Sequence, residues 1–166
     1  MTVAAGIVLW NAVANATGRF LWAWLSDRIG RKYVFLTLYL VQAVVLFIMP
    51  QAHTFAFLVV LSMLVILCYG GGFGTMPAFA ADYFGPRNVG PIYGLMLTAW
   101  GAGGIVGPLL IANIVDKTKS YNNTLLIFAA IMLVSAVIPF IVRPPVAAES
   151  AEVAGVRGGV RPSLAQ

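Results

Sequence analysis

Five apolar stretches dominate this chain, at about 3–25, 33–50, 55–79, 91–114 and 122–142. Each approaches or exceeds the roughly 20 residues that a helix needs to cross the hydrocarbon layer of a bilayer. An isolated strand cannot satisfy its backbone in lipid, so segments of this kind span as helices. Composition agrees. Of 166 residues, 61% are hydrophobic and 9% are charged, where a soluble domain carries about a quarter charged residues. The expected fold is therefore all-α, a polytopic membrane helix bundle over residues 1–143. The remainder, 144–166, is rich in Pro, Gly and Ala without apolar periodicity, and is expected to be a disordered cytoplasmic tail.

A net charge of +5 raises the question of nucleic acid, but the placement of the cations points to topology instead. Arg28, Arg31 and Lys32 lie between the first two stretches, Arg87 between the third and fourth, and Arg143, Arg157 and Arg161 beyond the fifth. The two alternate connections hold only Lys117 and Lys119. Positive residues gather on the cytoplasmic side of membrane proteins, so the first and third connections and the C-terminus are expected there. The expected location is the inner (plasma) membrane, crossed several times. Cys68 is the single cysteine, so no disulfide can form within the chain, and no cysteine pattern for a metal exists. No cofactor or metal is expected.

The first stretch is polar for a membrane helix. Asn11, Asn15, Gly18, Arg19 and Trp22 share one helical face, and such a face is expected to look into protein or water rather than lipid. Arg19 stands eight residues before Asp27, about 12 Å along a helix. It either meets an anionic partner at depth or serves a structural role by snorkelling or pairing with a helix end. In the third stretch, Gly70, Gly71, Gly72, Gly74 and Pro77 predict a weakened, bent helix. Tyr69 and Phe73 lie on one face beside that run, as aromatic packing or as the wall of a pocket. In the fourth, Gly90 and Gly94, then Gly103 and Gly107, have the spacing that lets helices approach closely. Trp100 sits near the middle of this stretch, away from the interfacial belt that Trp prefers, and either fills a gap or faces a cavity. His53 stands in an outer turn, as a solvated side chain or a proton-coupling group. Asn122-Asn123-Thr124 reads as a glycosylation sequon, too close to the membrane to be used.

The stretch NATGRFLWAWLSDRIGRK, residues 15–32, ends in a dense polar turn containing Asp27, Arg28, Gly30, Arg31 and Lys32. It reads as a short loop between two helices, and it resembles the loop signature of the major facilitator superfamily. Ala23 replaces the usual glycine of that signature, and another small residue keeps close packing plausible. Together with ADYFGPRNVGPIYGLMLTAWGAGGIVGP, residues 81–108, the chain resembles the oxalate/formate antiporter family. The order of features is similar to the second half of such a carrier without its first helix. The resemblance implies a fragment, five transmembrane helices of a C-terminal half, whose partner is the missing N-terminal half of the carrier.

That resemblance implies transport of a small organic anion by alternating access, with the lipid bilayer as surroundings. Arg19 takes the place of an arginine that binds a substrate carboxylate, with Asn15, Tyr69, Phe73 and Trp100 as further substrate-binding candidates. Trp100 stands where the oxalate carriers have a lysine, so a monocarboxylate is as reasonable a substrate as oxalate. Asp27, Arg28, Gly30, Arg31, Lys32, Asp82 and Arg87 are the candidate conformational-switch residues, with Asp27 expected to pair with Arg28 or Arg31. The competing reading is a small helical membrane protein that assembles into a channel or interacts with another membrane protein. It would need a pore-lining polar series, which only the first stretch offers. An enzyme is not expected, because no histidine cluster, paired carboxylate or nucleophile with a base is present.

Overall fold

A computed structural model describes residues 3–142. The expected tail over 144–166, with Arg143, Arg157 and Arg161, lies outside the described residues. The chain is helical throughout, with no strand among the described residues. Its elements are α1 (Val3–Ile29), α2 (Arg31–Ile48), α3 (Phe55–Phe84), α4 (Val89–Thr118), α5 (Tyr121–Ser135) and the single turn α6 (Ile138–Ile141). Four segments are long and apolar enough to cross a membrane on those grounds alone, namely Arg31–Gln51, Phe55–Phe84, Pro86–Thr118 and Tyr121–Ile141. α1 has 27 residues, which is length enough, but Asn11, Asn15, Thr17 and Arg19 dilute its apolar character.

The connections are short, so neighbours in sequence run antiparallel. Short 3-10 turns, Met49–Gln51 and Pro86–Asn88, lead out of α2 and into α4. Between α1 and α2 there is no loop of the kind expected at Asp27–Lys32. α1 continues through Asp27 and Arg28 to Ile29, and Gly30 alone makes the break, with φ of 92°. Its N–H donates to Ser26 O at 3.1 Å, and its own carbonyl accepts from Val34 N at 3.3 Å. Side chains strain in that region of φ, and glycine does not. The signature cations therefore sit on helix ends, in fixed register with each helix. At the other end of the sequence, the fifth apolar stretch is two helices. Pro139 has no N–H for the carbonyl four residues back, and the chain turns at Ala136 and Val137 before α6 begins.

α1 and α3 run parallel and form the tightest pairing of the bundle, and glycine is the reason. A Cβ added at Gly18 would overlap the backbone of Leu67, one at Gly70 the backbone of Asn15, and one at Gly71 the ring of Trp22. At Gly74 it would meet the backbone of Arg19. Apolar burial does not drive helix association within lipid, and close backbone approach with its van der Waals contact does. Through this glycine run α3 stays α-helical without a break, from Phe55 to Phe84 with Pro77 inside. Thr75 Oγ1, fully buried, donates to Gly71 O at 2.8 Å beside that proline.

The glycines of α4 behave differently. Nothing lies within 4 Å of a Cβ built at Gly90, Gly94, Gly103 or Gly107, and α4 has no buried residue. The close contact expected at those positions is not made within the described chain. The apolar core lies instead between α1, α2 and α3, where Trp22, Val34, Leu38 and Cys68 are buried together. α2 also packs along α5, which leaves α4 leaning on α3 and α5 at the side of the bundle.

Candidate functional site

Two groups of side chains stand apart from the packing just described, one at the Asp27 end of the bundle and one at mid-depth. At the Asp27 end the centre is Arg31, the first residue of α2. Its Nε donates to Asp82 Oδ2 at 2.8 Å, and its Nη1 donates to Ser26 Oγ at 2.7 Å and meets Asp27 Oδ1 at 2.6 Å. One planar guanidinium thus ties the last turn of α1 to the last turn of α3. The side chain of Arg31 is 18% exposed, while Asp27 and Asp82 are 66% and 52% exposed. The cation is the shielded member, and its carboxylates open to the surface.

Of the two partners expected for Asp27, Arg31 is the one in place. Arg28 instead lies over Trp24, 4.3 Å from the ring centroid. Lys32 lies over Phe140 of α6 at 4.1 Å and joins neither carboxylate. Arg87, in the 3-10 turn before α4, is exposed. Ser26 belongs to the Arg31 group although sequence reasoning did not include it. A signal was available, because Ser26 continues the Asn11–Asn15–Gly18–Trp22 face by one further turn and directly precedes Asp27.

At mid-depth, α1, α3 and α4 each contribute to a second group. The guanidinium of Arg19 lies 5.7 Å from the centroid of the Phe73 ring. Phe73 meets Tyr69 edge-on at 5.3 Å and Trp100 edge-on at 5.4 Å. Trp100 Nε1 donates to the Tyr69 hydroxyl at 2.8 Å, which gives a Trp far from the interface the polar partner it needs. Arg19, Tyr69, Phe73 and Trp100 are thereby one contiguous group. Tyr69 and Trp100 remain substantially exposed, at 39% and 52%. From the Asp27 end, these residues lie about 12–20 Å along their helices, near the middle of a layer roughly 30 Å thick.

Asn15 is one turn from Arg19 but faces the seam. Its Oδ1 is buried without a hydrogen-bond partner and abuts Gly70. Its Nδ2 is the atom left to serve another partner. Asn11, a turn earlier, accepts from Ser62 Oγ of α3 at 3.4 Å. The polar face of α1 is thus divided. Asn11, Asn15, Gly18 and Trp22 meet α3, while the exposed Arg19 passes the edge of α3 to reach Phe73. Among the described residues, both ion pairs belong to Arg31, and no carboxylate pairs with Arg19.

Comparison with known proteins gives this arrangement a family setting. The family model described as Major Facilitator Superfamily matches residues 2–165. The oxalate:formate antiporter of Oxalobacter formigenes is 29% identical over 136 residues, covering 78% of this chain and 32% of that protein. The staphyloferrin B transporter of Staphylococcus aureus is 31% identical over 143 residues, covering 82% of this chain and 32% of that protein. Monocarboxylate transporter 14 of Mus musculus is 29% identical over 89 residues, covering 54% of this chain and 17% of that protein. The chain therefore spans about a third of the length of the first two relatives. No solved structure matches it.

Proposed function

The chain belongs to the Major Facilitator Superfamily, a family of transporters and not of enzymes, and on that premise we propose that it forms five helices of a secondary carrier for small organic anions. Mono- or dicarboxylates such as formate, lactate or oxalate are the substrate class, and alternating access is the mechanism. Two relatives are named for the transport of carboxylates, in keeping with that class. The missing N-terminal half of the carrier supplies the rest of the path. The Asp27 end and the C-terminus face the cytoplasm, across the inner membrane.

The observation that carries this reading is Arg19. A guanidinium at this depth costs a few kcal/mol or more unless water or an anion meets it, and no carboxylate among the described residues does. It lies instead against the face of Phe73, an arrangement that holds the cation while leaving its donors free. A substrate carboxylate then meets the fork with two charge-assisted hydrogen bonds. Tyr69, Phe73 and Trp100 line the site, Asn15 Nδ2 adds a donor one turn away, and removal of water strengthens the ion pair. The switch residues are Asp27, Gly30, Arg31 and Asp82, with Arg28, Lys32 and Arg87 as the remaining positive groups of that end.

Uptake by the complete carrier in reconstituted vesicles tests the assignment. Arg19→Lys keeps the charge but loses the fork, and anion uptake should fall about tenfold, the loss of one charge-assisted hydrogen bond. Trp100→Lys adds a second cation beside the first and should shift competition from formate and lactate towards oxalate. Wild-type uptake in Arg19→Lys together with unchanged selectivity in Trp100→Lys would leave Arg19 a structural ion and end the pocket assignment.

A further inference from the structure

Away from Arg19, a half-open apolar cavity of about 180 Å³ lies between α2, α3, α4 and α6. Phe35 and Tyr39 of α2, Met76 and Phe79 of α3, Met96 of α4 and Ile138 of α6 line it, and no polar atom faces it. A lining without polar atoms offers water no hydrogen-bond partner and suits an apolar guest. Its lining stays within a few turns of the helix ends where Asp27, Arg31 and Asp82 meet. That places it in the leaflet bordering those ends. Its α6 side is open, with Ile138 half exposed.

Lys32 supplies the second observation. Positions 32, 35 and 39 share one face of α2, so Lys32 crowns the same stripe that lines the cavity. Its Nζ stands 4.1 Å from the ring centroid of Phe140, in the α6 turn that borders the open side of the cavity. Unlike Arg31, Lys32 has no ion pair among the described residues. An ammonium with no ion pair among the described residues therefore sits above an apolar slot at the edge of the hydrocarbon layer. From that combination we propose that the cavity is a lipid site, taking one acyl chain of an anionic phospholipid whose phosphate lies on Lys32. Phosphatidylglycerol has that chemistry. The acyl chain fills space that offers water no hydrogen-bond partner, and Lys32 distinguishes an anionic headgroup from a zwitterionic one.

The test uses the protein with its full chain, reconstituted into bilayers doped with phosphatidylglycerol or phosphatidylcholine carrying a photoreactive group in one tail. Adducts are then mapped by peptide mass spectrometry. Phosphatidylglycerol adducts should concentrate on Met76, Met96 and Ile138. Lys32→Gln should lower them about fivefold, the loss of one lysine near a charged surface, while phosphatidylcholine labelling stays as it was. Met96→Phe fills the slot and should reduce labelling by both lipids, with elution on gel filtration showing that the variant is folded. If Met96→Phe does not fold, the Lys32→Gln comparison alone decides. Adducts spread over the exposed apolar surface with none on the lining residues would show that another part of the protein fills the cavity, and would overturn the proposal. Phosphatidylglycerol labelling indifferent to Lys32→Gln would overturn it equally.

Discussion

Arg31 does more for this bundle than any other charged side chain, because its planar fork reaches three acceptors on two other helices. The pair with Asp27 spans the Gly30 turn at i,i+4 spacing, and exposed pairs of that kind contribute about 0.3–0.5 kcal/mol. The pair with Asp82 joins residues 51 apart in sequence, so losing it frees α3 from the turn. Asp82→Asn should therefore lower the unfolding temperature of the detergent-solubilised protein more than Asp27→Asn does. Arg31→Lys should lower it at least as far as Asp82→Asn, since a single ammonium cannot reproduce the fork. A thermal-melt series over the three variants checks the order, and equal shifts for the two aspartates would contradict it. Asp27→Asn should instead show in the complete carrier as slower conformational exchange at unchanged substrate binding. A loss of binding with normal exchange would remove Asp27 from the switch.

For the helices, the same residue type serves opposite ends. Gly18, Gly70, Gly71 and Gly74 are where α1 and α3 touch, so a side chain there pushes two backbones apart. Gly71→Val should cost about 1–3 kcal/mol by overpacking against Trp22. Gly72, its neighbour, has nothing within 4 Å of a built Cβ, and Gly72→Ala should be neutral or mildly stabilising, by up to about 1 kcal/mol. Chemical or thermal unfolding of the two variants side by side separates packing from glycine content. Comparable destabilisation by both would mean that chain flexibility, not contact, governs the α1–α3 seam. The glycines of α4 have the same spacing and no contact in the described chain, so spacing alone does not identify a seam.

Taken whole, the chain is a layered set of antiparallel neighbours in which α1 and α3 become parallel partners across α2. Cations concentrate at the end that carries Asp27, Asp82 and Arg87, while Lys117 and Lys119 lie at the other. That bias predicts orientation. In a Cys68→Ala background, Asn88→Cys should react with an impermeant thiol reagent only from the cytoplasmic side. His53→Cys, exposed at the opposite end, should react only from outside. Labelling of Asn88→Cys in intact cells would invert the proposed topology.

Much of this was legible along the chain because the bilayer makes severe demands on sequence. Apolar length, the positive bias and the Asp27–Lys32 signature depend on residues close together, and they yielded the helical class, the number of stretches and the family. Arg19 and Trp100 are site candidates through the family resemblance, and Tyr69 and Phe73 through the face they share in the third stretch. Their assembly into one contiguous group depends on how α1, α3 and α4 pack. Local pattern could not say which glycines would be touched, since Gly71 and Gly103 differ only in what stands opposite. Nor could it choose between Arg28 and Arg31 for Asp27, because that choice follows from a one-residue turn at Gly30 and the arrival of Asp82 from 51 residues away. The sequence by itself determined the solvent this protein lives in and the helices it builds, because both are answers to the cost of burying backbone and charge in lipid. Only the tertiary structure decided which faces meet, because contact is a property of pairs of helices and neither helix encodes its partner alone.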